Sequence, residues 1–67
     1  MHIKVNGEQI ETKEAETLLD LLGELGIDAA RVAAIELNRV IVRRPDFPTF
    51  KLNDGDEVEI LNFVGGG

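Results

Sequence analysis

A chain of 67 residues without one cysteine has to hold itself together by burial alone. Neither a disulfide nor a thiolate zinc site is available to staple so small a fold. A domain of this length hides roughly 60% of the surface its unfolded form exposes. That leaves room for one small core and little for an enclosed active site. Hydrophobic residues make up 43% of the chain and charged residues 30%, the balance of a folded domain and not of a disordered segment. The apolar runs are too short to cross a bilayer and the first residues read directly as a strand, so the cytoplasm is the expected compartment.

Hydrophobic periodicity places the elements. Met1, Ile3 and Val5 alternate with His2 and Lys4, Asn6-Gly7 comes next, and Ile10 continues the alternation between Gln9 and Glu11. This is a β-hairpin pattern, because both turn residues tolerate the positive φ of a primed turn. The period then changes. Leu18, Leu22 and Leu25 repeat at four and three residues, with Leu19 and Leu21 widening the stripe and Asp20 and Glu24 off it, which predicts an amphipathic helix. Thr17 is the candidate N-cap with Asp20 in support, and Gly26 is the natural terminator. Gly23 inside the helix weakens it by up to about 1 kcal/mol relative to alanine.

A third strand is expected where Ala33, Ile35 and Leu37 alternate with Ala34 and Glu36, turning at Asn38-Arg39 into Val40-Ile41-Val42. Pro45 and Pro48 then interrupt regular structure, and Phe47 and Phe50 are expected to pin this crossing to the core. Asn53-Asp54-Gly55-Asp56 is a strong turn signal before a last strand over 57–63. One helix over one mixed sheet of four or five strands is an α+β arrangement. Residues 1–64 read as the domain and 65–67 as a flexible tail.

The last strand carries a conflict of parity. Val58 and Ile60 point to one face, so Leu61 and Phe63 point to the other unless a β-bulge or end twist returns Phe63 to the core. In the first case an apolar patch rimmed by acids lies beside the tail, a surface suited to a partner. Both possibilities stay open in the sequence.

Thirteen acidic residues against seven basic ones give a net charge of −6, which repels nucleic acid and anionic lipid and favours basic protein surfaces. Arg39, Arg43 and Arg44 read as a solvated rim. His2 reads as a surface strand residue with no catalytic partner, and Asp54 and Asp56 as turn residues, since the other ligands of a calcium loop are missing. No resident catalytic or metal constellation stands out. The remaining place for chemistry is the end of the chain.

Gly65-Gly66-Gly67 present backbone without side chains after an apolar stem of Leu61, Phe63 and Val64. Extended, residues 64–67 span about 13 Å, enough to enter a narrow channel in another protein. A carboxylate there is a poor acyl donor, because its charge opposes nucleophilic attack. An ATP-dependent partner can convert it to an acyl-adenylate, from which a sulfur nucleophile displaces AMP to leave a thiocarboxylate.

The chain resembles the ThiS family of sulfur carriers. The residues that carry the likeness are Ile3-Lys4-Val5-Asn6-Gly7-Glu8, Thr17-Leu18-Leu19-Asp20-Leu21-Leu22, Glu36-Leu37-Asn38, Asp54-Gly55-Asp56 and Phe63-Val64-Gly65-Gly66-Gly67. The resemblance implies a ubiquitin-like β-grasp fold, a monomer when free, and a carrier that is not itself an enzyme and binds no cofactor. It implies that Gly67 is adenylated by a ThiF-like enzyme using ATP and magnesium. It also implies that sulfur passes to a ThiG-like thiazole synthase in thiamin biosynthesis. Gly66 and Gly67 match the family's terminal pair, Gly65 is an extra glycine, and Phe63 and Val64 match the stem that meets partners. A MoaD-like subunit of molybdopterin synthase, another pathway's sulfur carrier, or a TGS-like binding module with no need of a free end would share the fold.

Overall fold

The computed structural model describes residues 1–63, and residues 64–67, Val64 and the glycine tail, lie outside the described part. Six main elements run in chain order: β1 (His2–Val5), β2 (Glu8–Glu11), α1 (Leu18–Glu24), β3 (Val32–Leu37), β4 (Val40–Val42) and β5 (Glu57–Asn62). Single turns of 3-10 helix, Ala29–Arg31 and Arg44–Asp46, stand before β3 and after β4. The strands form one sheet in the order β2-β1-β5-β3-β4. β1 and β5 run parallel, while the other neighbours are antiparallel. The last strand therefore sits in the centre, and its far end is where the tail begins.

Local chemistry explains these elements. Asn6 and Gly7 both take positive φ in the first hairpin, and the Asn6 carboxamide oxygen accepts from the Ile60 amide at 2.7 Å, tying that turn to β5. Thr17 and Asp20 form a reciprocal capping box at the start of α1, satisfying amide donors that the first turn leaves without partners. The helix closes with Gly26 at φ 71. There Ile27 N–H donates to the Leu22 carbonyl and Gly26 N–H to the Gly23 carbonyl, the paired bonds of a Schellman ending.

One face of the sheet and the helix enclose a core of Ile3, Leu18, Leu21, Leu22, Val32, Ile35, Val42, Phe47 and Val58, each at most 2% exposed. Ala15, Leu52 and Ile60 extend it. Two sequence expectations need correction here. Leu25 drops out of the buried stripe and, of the two residues expected to widen it, Leu21 does and Leu19 does not, because the seven-residue helix turns only Leu18, Leu21 and Leu22 inward. Of the aromatic pair in the crossing segment, Phe47 is fully buried whereas Phe50 is 39% exposed. Leu52 fills the core on that side, and the Phe50 backbone holds the segment instead, its carbonyl accepting from Leu18 N–H.

A third correction concerns β3. Ala33 is exposed, and Val32 joins Ile35 in the core although the two stand three residues apart. A bulge reconciles them: Val32 opposes Asn62 while Ala34 opposes Leu61, leaving Ala33 as the extra residue. Bulges bend a strand and re-aim its side chains. This one brings a second large apolar side chain inward at the end of the sheet nearest the tail.

Glu24 closes the loop before the helix. Its carboxylate accepts from the amides of Lys13, Glu14 and Ala15 at 3.0–3.3 Å, and these bonds, led by that from Lys13, hold its pKa below the usual 4.5. A folded pKa below the unfolded one means stability that is fully present above pH 4.5 and is lost as pH falls through the folded value. In urea titrations we expect the wild-type midpoint to fall as the solution is acidified below about pH 4.5. Glu24→Gln should be less stable at neutral pH and should lose less on acidification. Parallel midpoint curves for the two proteins would exclude this role for Glu24.

Candidate functional site

The sheet face turned away from the helix is uncovered among the described residues. β5 alternates buried Val58 and Ile60 with exposed Glu57, Glu59 and Leu61, as a one-sided strand must. Cross-strand pairing sets Ala34 beside Leu61, Glu36 beside Glu59, and Ile41 beside Glu36. The open face thus carries an apolar stripe of Leu61, Ala34 and Ile41 interrupted by acids.

Phe63 continues the exposed parity. It is 58% exposed and Leu61 is 42% exposed, so the open alternative resolves in favour of an apolar patch. A bulge does exist, but it lies in β3 and returns Val32, not Phe63, to the core. Phe63 is fixed at two points: its amide donates to the Arg31 carbonyl at 3.1 Å, and the Arg44 guanidinium lies 5.6 Å from its ring centroid, within cation–π range. Beside it opens a broad groove of about 890 Å³ lined by Gly26, Ile27, Asp28, Arg31 and Phe63, among others. Val64, Gly65, Gly66 and Gly67, the rest of the expected site, lie outside the described residues.

The remaining polar candidates are structural. His2 is exposed, and its Nε2 stands 3.5 Å from Glu11. Asp54 accepts from the His2 amide at 2.7 Å. Asp56, buried, accepts from the Asn53 amide at 2.7 Å and from the Asn38 side chain at 3.0 Å. Both carboxylates are committed to the turn that locks β5 against β1 and the β3–β4 turn. No group of three or more metal-ligating side chains occurs among the described residues, and among them no helix is long and apolar enough to cross a membrane.

Sequence reasoning missed the role of Arg44, which it read as part of a solvated rim. Its ring contact and its bond to the Val32 carbonyl at 3.3 Å depend on the 3-10 turn after β4 and on the bulge in β3. The signal for the bulge was present in Val32-Ala33-Ala34-Ile35, where two small residues separate two large β-branched ones.

A single α-helix on a five-stranded mixed sheet, with the last strand in the centre and exposed Leu61 and Phe63 before a glycine-rich end, defines a ubiquitin-like β-grasp domain. The comparisons with known proteins agree. The ThiS family model matches residues 3–67, and the chain belongs to that family. It is similar to the crystal structure of the thiamine biosynthesis protein ThiS from Geobacter metallireducens, with a TM-score of 0.82 and 37% identity over the whole of both chains. The sulfur carrier protein ThiS of Bacillus subtilis is 30% identical over 66 residues, covering 97% of this chain and 98% of that protein. A thiazole synthase of Paramagnetospirillum magneticum is 42% identical over all 67 residues, but this chain spans only 20% of its length.

Proposed function

We propose that the protein is a sulfur carrier of thiamin biosynthesis. A Gly67 carboxylate oxygen attacks the α-phosphorus of ATP on a ThiF-like enzyme with magnesium, pyrophosphate leaves, and an acyl-adenylate forms. A sulfur nucleophile then attacks the acyl carbon, the carbon–sulfur bond forms, AMP leaves, and a thiocarboxylate remains. The chain's own part is to bring the reacting carboxylate: among the described residues no side chain is placed as acid, base or nucleophile, and the glycine end follows a docking patch that we assign to Leu61, Phe63 and Val64.

The observation that carries this reading is the exposed Leu61–Phe63 stem, followed in sequence by Val64 and three glycines, in a chain of the ThiS family. A core-directed stem would give the domain no patch beside its tail. Two thiazole synthases each contain a segment similar to this whole chain, amounting to a fifth of their length. That supports a ThiG-like synthase as the acceptor, since a carrier and its acceptor gain in effective concentration when one polypeptide holds both.

The test is the mass of the protein after incubation with ATP, magnesium, the host's adenylating enzyme and a sulfide source. Replacing one oxygen by sulfur adds about 16 Da. An unchanged mass, with the enzyme shown to be active on another carrier, would sink the proposal.

A further inference from the structure

Arginine is distributed unevenly over this acidic chain. Arg31, Arg43 and Arg44 gather at the Phe63 end of the sheet. Arg31 shares a groove with Phe63, and Arg43 and Arg44 flank a shallow depression with Ala33 and Pro45. The fourth, Arg39, sits in the β3–β4 turn at the opposite end of those strands, next to Glu57. All four are exposed. The chain has 13 acidic residues, yet among the described residues no arginine has a carboxylate within ion-pair distance, and the pair found is His2 with Glu11.

Fold stability gives no reason for three cations without a carboxylate partner among the described residues to gather at one end of the sheet. Arg44 in addition is held in place, by the Val32 carbonyl beside the bulge and by the Phe63 ring. A guanidinium stacked on an aromatic keeps its remaining donors pointing outward in a fixed fork.

We propose that Arg31, Arg43 and Arg44 form a basic collar around the root of the tail that recognises carboxylates at the channel mouth of the adenylating enzyme. This rests on the carrier reading above. The tail's covalent reach is at most about 13 Å, so the collar stays outside the channel and meets the partner's rim, not the nucleotide. Phe63 supplies the apolar contact at the centre of that seat and the arginines supply its charged border. Farther along the same sheet face Glu36, Glu57 and Glu59 carry the opposite sign. The surface is therefore electrically polar along the strands, which admits one docking orientation and opposes the reversed one.

The experiment measures ATP–pyrophosphate exchange by the host's adenylating enzyme as a function of carrier concentration, at low and at high salt. Arg43→Glu with Arg44→Glu should lower kcat/KM by about tenfold or more at low ionic strength. The loss should fall on KM and not on kcat, because the reacting carboxylate is untouched. It should shrink near 1 M salt, where the screening length drops to about 3 Å. Arg39→Glu, which changes the chain's charge equally per site but lies at the far end, should stay within about twofold. Arg43→Glu alone guards against misfolding, since the Arg43 side chain makes no hydrogen bond among the described residues, and it should show a smaller loss of the same kind. Equal effects of Arg43→Glu and Arg39→Glu, or a loss confined to kcat, overturn the collar while leaving the carrier intact. Absence of exchange with the wild-type protein overturns both.

Discussion

Adding a single alanine after Gly67 should abolish sulfur loading while leaving the domain folded. The change moves the carboxylate one residue, about 3.5 Å, past its place. On the carrier reading it also adds a methyl group to an end that otherwise offers a partner's channel only backbone. A misplacement of only about 1 Å can cost on the order of a hundredfold even where the reacting group is kept, and here the displacement is larger. Adenylation assayed by pyrophosphate exchange should fall to background. The thermal midpoint should stay close to that of the wild type, because the added residue lies beyond β5 and outside the core. Exchange at a wild-type rate would show that the terminus is not the reacting group. It would favour a β-grasp binding module, which needs no free end.

Phe47→Ala should remove most of the domain's stability. Phe47 has the largest side chain among the fully buried residues, and it is anchored in an irregular segment between β4 and β5. Truncating a buried phenylalanine to alanine costs about 3–5 kcal/mol. A domain of this size has on the order of 3–10 kcal/mol in total, taking the usual stability per residue. With no cysteine to form a disulfide that would limit the loss, a large share of the molecules should unfold at room temperature. Phe50→Ala, at a half-exposed site in the same segment, should cost less than about 1 kcal/mol. Urea melts monitored by circular dichroism compare the two, and similar losses at both positions would contradict the assignment of Phe47 as the anchor.

Elements with a clear period were legible in the sequence. The Asn6-Gly7 hairpin, the capped leucine helix, the Asn38-Arg39 turn and the final strand all stand where alternation and turn chemistry put them. The hidden features depend on contacts between segments distant in sequence. Nothing within 57–63 decides whether Phe63 faces inward; the answer comes from the pairing with β3, where Ala33 takes up the bulge. Phe47 and Phe50 have the same composition-level claim on the core, and only the packing of the crossing segment against α1 separates them. Arg44 is unreadable locally for the same reason, since both of its partners, Val32 and Phe63, lie well away from it along the chain.

The site divides along the same line. Family motifs in the sequence named the end of the chain and its stem, while the structure supplied the exposure of Leu61 and Phe63 and the arginines beside them. Together they give a fold whose central strand, β5, is the last before the glycine-rich end, with exposed apolar side chains and arginines near its Phe63 end.

The most direct measurement is fragment-resolved mass spectrometry of the protein recovered from a host strain lacking the acceptor synthase, where loaded carrier should accumulate. A gain of about 16 Da confined to fragments containing Gly67 is the expected result, the mark of oxygen exchanged for sulfur at the terminal carboxyl. An unmodified terminus in that strain, or the same gain located elsewhere in the chain, would contradict the carrier assignment.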